Sequence, residues 1–269
     1  MNRSQWRTIV PIAVGVVAVA IAVVEVSRNG HAFAQAVRRM GWLVLVTAFV
    51  LGAGQVFALF GLWREILRGF GGSIPAPEAA RVFLVSQVGK YLPGSVWPVL
   101  AQIEFGRRAG IGRRAMLSAN VVVYALSLAV GLIISAIFLP LSSAGALRRY
   151  WWAFLLLPFL LVCLHPRAIP ALLNAVFRRL GRDQLVMRLS VRRTLVGALW
   201  GVASWLLLGL HLWVLTHAVG AHGLRSLAAA VGVAAFAVAV GVLFVPAPAG
   251  AGVRDAVLVL TLAGSIGSS

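Results

Sequence analysis

Ser86-Gln87-Val88-Gly89-Lys90-Tyr91-Leu92-Pro93-Gly94-Ser95-Val96-Trp97-Pro98 interrupts a long apolar run. It carries Lys90, the one lysine of the chain, and a Pro-Gly pair that a continuous helix excludes. Proline removes a backbone donor, and glycine loses more conformational entropy than any other residue on becoming helical. Residues 79–91 on one side and Val96 to Arg108 on the other read as helices. At about 1.5 Å per residue, each falls short of the roughly 30 Å hydrocarbon core of a bilayer. The stretch therefore predicts a helix–break–helix that dips into a membrane.

Composition fixes the surroundings of this stretch. The chain is 61% hydrophobic, only 11% of its 269 residues are charged, and its mean hydropathy is +0.96. Soluble domains carry about a quarter charged residues, so this is an integral membrane protein. Its apolar runs are long and uniform, which fits helices and not the alternating strands of a barrel. We expect an all-α, polytopic membrane helix bundle forming one transmembrane domain over 1–269, with no soluble catalytic domain.

Working outward, six spans are expected: Ile9–Val26, Gly41–Trp63, Met116–Leu139, Trp151–Leu164, Thr194–His217 and Leu224–Val245. Gly52-Ala53-Gly54 gives the second span a small-residue face for close helix contact. Arg64 to Pro77 reads as a loop, with Pro77 and Glu78 opening the next helix. Pro140 is expected to end the third span. Residues 169–180 look amphipathic and suit a membrane surface. Besides the broken segment at about 79–108, a second one is expected at about 243–263, where Pro246-Ala247-Pro248-Ala249-Gly250-Ala251-Gly252-Val253-Arg254-Asp255 interrupts the apolar pattern. Trp42, Trp63, Trp151 and Trp213 read as interfacial anchors.

The net charge of +18 comes from 24 Lys+Arg against 6 Asp+Glu. The arginines lie between apolar spans, which points to orientation and lipid headgroups and away from nucleic acid. With residues 165–193 placed in the cytoplasm, sixteen arginines fall inside and six outside. This holds only if 79–108 enters and leaves on the cytoplasmic side, so parity independently predicts a re-entrant hairpin. The expected location is a bacterial inner membrane, multi-pass, with a cytoplasmic N-terminus.

Pro/Gly-broken apolar segments in both halves of a chain mark a ligand site near the midplane. Half-helix ends offer dipoles and free backbone groups, and a helix starting near Ser95 presents N–H groups to an anion. The candidate anionic-headgroup site is Gln87, Lys90, Tyr91, Pro93, Gly94 and Ser95, with Glu104, and Gly250, Gly252, Arg254 and Asp255 from the second segment. Each residue has a plainer reading: Lys90 as an interfacial anchor, Glu104 as the partner of Arg107 or Arg108, Arg254-Asp255 as a capping ion pair. His211, inside a span, reads as a hydrogen-bonded core histidine; His217 and His222, five apart, miss the spacing of a helical metal pair. The lone Cys163 allows no internal disulfide. No catalytic residues, metal ligands or cofactors are expected, because Cys/His clusters, phosphate loops and paired acids are absent.

Val88-Gly89-Lys90-Tyr91-Leu92-Pro93-Gly94-Ser95-Val96-Trp97, followed by Gly106-Arg107-Arg108-Ala109-Gly110-Ile111, resembles the G-[RK]-[YL]-[LI]-P-G segment and basic continuation of the lysylphosphatidylglycerol synthase transmembrane, or flippase-like, family. Val245 to Ala256 resembles that family's second signature, with Ala249 where glycine is usual. The resemblance implies a protein that moves lipids or lipid-linked molecules between leaflets, and its partners would be membrane lipids, anionic headgroups first. It does not extend to lysyl transfer, which belongs to a soluble domain. Two other functions fit the same residues. One is an accessory subunit of an envelope lipid or glycan assembly system that docks a cytoplasmic or membrane partner through 165–193. The other is a polyprenyl-phosphate-dependent membrane transferase.

Overall fold

A computed structural model describes residues 40–91, 96–142, 189–218 and 222–243, together with isolated positions between and beside them. The first span, most of 143–188 and the whole second broken segment lie outside the described residues. Among the described residues all regular structure is helical. The helices are α1 (Met40–Gly69), α2 (Ala76–Gln87), α3 (Trp97–Arg108), α4 (Arg113–Ser142), α5 (Val191–His217) and α6 (Leu224–Leu243). Four of them, α1, α4, α5 and α6, are long and apolar enough to cross a bilayer. These match four of the six expected spans.

The boundaries differ from the sequence reading in instructive ways. Helix α1 does not stop at Trp63; it continues through Arg64 to Gly69. The loop expected over 64–77 therefore shrinks to 70–75. The extra turns are amphipathic, with Ile66 and Leu67 buried and Glu65 paired to Arg68 at 2.7 Å. Pro140 does not end α4 but lies inside its last turn, where few downstream hydrogen bonds remain to be broken. Helix α5 starts three residues early because Ser190 caps it, its Oγ accepting from the Arg193 N–H at 3.3 Å.

Small residues set the packing, as bilayer-spanning helices require when lipid tails are as apolar as leucine. Gly52 faces His211, Gly54 faces Leu207 and Gly61 lies against the Trp200 ring, so α1 and α5 run antiparallel. Gly131 of α4 receives the Trp205 indole of α5, whose Nε1 donates to the Ser127 carbonyl at 2.9 Å. A Cβ on Gly209 would meet the Val231 Cα at 2.6 Å, and one on Gly232 would meet the Leu139 backbone N at 2.9 Å. These contacts bind α6 to α5 and α4. Polar pairs reinforce the α1–α5 seam: Gln55 Nε2 donates to Ser204 Oγ at 3.2 Å, and His211 Nδ1 lies 2.8 Å from the Ala48 carbonyl. A carbonyl only accepts, so Nδ1 carries the hydrogen, and His211 is the core histidine its position suggested.

Trp63 is not an interfacial anchor. It is fully buried, 6.2 Å from the Phe60 ring and 5.4 Å from the Phe83 ring. This aromatic cluster fastens α2 to α1. Trp42 and Trp151, in contrast, are mostly exposed.

Candidate functional site

Helices α2 and α3 form an antiparallel hairpin of two 12-residue arms, each about 18 Å long. Helix α2 starts after Pro75, with Pro77 and Glu78 in its first turn. It tightens into a 3₁₀ turn over Val88–Tyr91, so the helix expected to run to Tyr91 is α-helical only to Gln87. Gly89 makes this turn possible. A Cβ there would lie 2.9 Å from Pro98 N and 3.0 Å from Trp97 C, so the turn seats its backbone directly on the first turn of α3.

Both ends of the hairpin are on one face of the bundle. Arg193 of α5 reaches Glu65 at the end of α1, 3.8 Å away. Glu104, near the end of α3, pairs with Arg107 at 2.9 Å, Arg108 at 3.3 Å and Arg113 of α4 at 4.0 Å. The hairpin thus goes in and comes out beside the end of α1 and the starts of α4 and α5, as parity demanded. Arg64, Arg68, Arg81, Arg107, Arg108, Arg113, Arg114, Arg192 and Arg193 make this a basic face.

The predicted site residues separate into three groups. Gln87 and Lys90 lie together at the hairpin tip, both half-buried, with the Tyr91 backbone closing the 3₁₀ turn. Glu104 is seven residues along α3 from Trp97, about 10 Å toward the basic face, and is engaged by three arginines. Pro93, Gly94 and Ser95, and Gly250, Gly252, Arg254 and Asp255, lie outside the described residues.

Hydrogen bonds from Arg107 and Arg108 hold the Glu104 carboxyl down to about 2 and push the Arg107 guanidinium up. Because the folded value is below the ordinary carboxylate one, any stabilisation from Glu104 is present at neutral pH and is lost as pH falls from about 4.5 toward 2. Carboxyl-carbon NMR of Glu104 should show a titration midpoint near pH 2, and Arg107→Gln should raise it. A midpoint at the ordinary glutamate value would contradict the ion-pair cluster.

Two features escaped the sequence reading. The first is a buried polar layer. Gly89 on Pro98 and Gly106 on Met116 set the register of α2, α3 and α4, which puts Ser86, Gln102 and Asn120 at about the same height. All three are buried. Ser86 Oγ donates to the Phe83 carbonyl at 2.7 Å and Asn120 Nδ2 to the Met116 carbonyl at 3.0 Å. Gln102 Oε1 has no hydrogen-bond partner among the described residues. Such a group costs about 1–3 kcal/mol, so the seam between hairpin and α4 is less well satisfied than the seams around α5. A polar residue at helical spacing inside an apolar run was the available signal. Gln102→Leu is therefore expected to raise the melting temperature, read in detergent by circular dichroism; a fall would mean that Gln102 is satisfied.

The second feature is a cleft of about 230 Å³ between the arms of the hairpin near its base, lined by Glu78, Arg81, Val82, Val85, Phe105, Arg108 and Ala109. On the opposite face of the bundle, where α5 ends and α6 is about to begin, the His217 and His222 rings meet, Nδ1 to Nδ1 at 3.1 Å. No group of three or more metal-capable side chains occurs among the described residues.

A family model described as the lysylphosphatidylglycerol synthase TM region matches residues 9–269. No curated protein and no solved structure matches the chain.

Proposed function

Because the chain belongs to the lysylphosphatidylglycerol synthase transmembrane-region family, we propose that it handles lipids as a flippase-type protein, moving anionic lipids or lipid-linked envelope precursors between leaflets without chemistry of its own. The observation that carries the reading is the α2–α3 hairpin, whose first arm tightens into a 3₁₀ turn at Val88–Tyr91 and which returns to the face it came from. Such a broken hairpin brings a cation and 3₁₀ backbone groups to a depth where an uninterrupted helix offers none. Lys90, Gln87 and Tyr91 would receive a headgroup phosphate, and Gly250, Gly252, Arg254 and Asp255 would complete the site from the second broken segment. The incompletely satisfied polar layer at Gln102 supports a hairpin that shifts against α4 as lipid passes. The basic face, read by the positive-inside rule, would be cytoplasmic in a bacterial inner membrane.

The test is leaflet translocation of fluorescent phosphatidylglycerol in vesicles containing the purified chain. Lys90→Ala and Arg254→Ala should each slow it about tenfold, the scale of one lost charge-assisted hydrogen bond. Unchanged rates in both variants would overturn the site.

A further inference from the structure

The cleft at the base of the hairpin combines opposite charges with an apolar wall. Glu78 and Arg81 are one helical turn apart on α2 and both line it. Both are exposed, and no ion pair involves either of them among the described residues. Neighbours at this spacing can pair; here both line a shared space and are not paired with each other. Arg108 comes from α3 on the other wall. It uses Nε on Glu104 at 3.3 Å, and its guanidinium has four further N–H donors. Its Cζ lies 6.0 Å from the centroid of the Phe105 ring, another lining side chain. A bare anion would suit the two arginines but not Glu78. A bare cation would suit Glu78 but not the arginines.

From this arrangement we infer that the cleft binds a zwitterionic phospholipid headgroup, a phosphate diester joined to a primary ammonium. The phosphate lies between Arg81 and Arg108, and the ammonium lies against Glu78. The ligand has acyl chains because the cleft opens onto an apolar outer surface. Val85 lines the cleft and is itself 47% exposed. Leu84 and Val88 beside it on α2, and Leu100 on α3, are also exposed, so a tail leaving the cleft finds a hydrocarbon-facing path. The inference rests on the lipid-handling reading for the class of ligand, and it adds a second site, at the basic face, apart from the hairpin tip.

Native mass spectrometry of the full chain, offered equal amounts of phosphatidylethanolamine and phosphatidylglycerol with the same acyl chains, tests it without any translocation. The ethanolamine lipid should be retained about fivefold more, the scale of one exposed ion pair. Glu78→Gln should abolish the preference, and Arg81→Gln should lower retention of both lipids about fivefold. Arg192→Gln, the same charge change outside the cleft, should do neither; circular dichroism checks that all variants are folded. Equal or greater retention of phosphatidylglycerol by the natural chain, or a preference that survives Glu78→Gln, overturns the proposal. Soluble glycerophosphoethanolamine should compete at least tenfold more weakly; competition equal to the lipid would overturn the assignment to a lipid. A chain that shows the preference but moves no lipid leaves this inference standing and refutes the flippase reading. A chain that moves lipid without the preference refutes this inference alone.

Discussion

Gly89→Ala is expected to disable the hairpin while leaving the spanning helices intact. The added Cβ would lie 2.9 Å from Pro98 N, 3.0 Å from Trp97 C and 3.2 Å from Pro98 Cα. All three are backbone atoms at the start of α3, and none can swing aside as a side-chain end can. The turn must lift from α3, and overpacking of this kind costs about 1–3 kcal/mol. Lifting the turn also moves Lys90, the next residue, away from the depth at which the hairpin presents it. The expected result is a lower melting temperature and loss of most lipid translocation, with helix content by circular dichroism unchanged. Gly112→Ala is the control: nothing lies within 4 Å of its added Cβ, so stability and translocation should both hold. Parity between the two variants would mean that the turn does not rest on Pro98.

Much of this architecture was legible because hydropathy and charge are strong signals in a membrane protein. The break at 86–98 and the arginine parity each required 79–108 to return to its own side, and α2 and α3 do so. Gly52 and Gly54 announced a close helix contact by size, though not that α5 makes it. Glu104 with Arg107 and Arg108 followed from helical spacing. What was not legible depended on how faces are turned toward each other. Trp63 stands at the end of an apolar run, where an indole usually meets the interface. It is buried only because α1 continues to Gly69 and α2 folds Phe83 onto it. Gln102 and Asn120 lie on different helices, and their common height comes from Gly89 and Gly106, whose packing partners no linear pattern names. His217 and His222 sit on no shared helical face, and the α5–α6 turn brings them together. The cleft at Glu78, Arg81 and Arg108 likewise needs two arms side by side before its charges have a common space.

The register of the hairpin also explains why its two ends differ in character. At the tip, backbone rests on backbone at Gly89 and Pro98, so position is set tightly and side chains such as Lys90 and Gln87 are aimed from a fixed platform. At the base, two arginines and one carboxylate line the gap between the arms, and a cleft remains. Between the two lies the Ser86, Gln102 and Asn120 layer, buried but incompletely paired. The tip is thus fixed by backbone contact, and any tilting of the kind proposed above would have to occur in the seam with α4, where Gln102 Oε1 has no hydrogen-bond partner among the described residues.

Trp63→Ala should show what holds that unit in place. Trp63 is fully buried, and its indole bridges Phe60 on its own helix and Phe83 on α2. Phe60 and Phe83 also touch directly, with centroids 5.6 Å apart. Removing the indole leaves a cavity that Phe60 alone cannot fill, since Leu62, Ile66 and Val82 around it are already close-packed in the same core. Truncation of a buried tryptophan costs about 3–5 kcal/mol. The indole Nε1 has no hydrogen-bond partner among the described residues, so no lost hydrogen bond adds to that cost, and the lower end of the range is expected. Trp63→Phe should recover most of the loss by keeping an aromatic ring against Phe83. The damage should be local: hydrogen exchange should rise across α2 and α3, while α5 and α6, held by Gly209 on Val231 and Trp213 Nε1 on Ser226 Oγ at 3.2 Å, stay protected. Uniform exchange across all helices would mean that the hairpin is not an independently docked element and that its motion cannot be separated from the rest of the bundle.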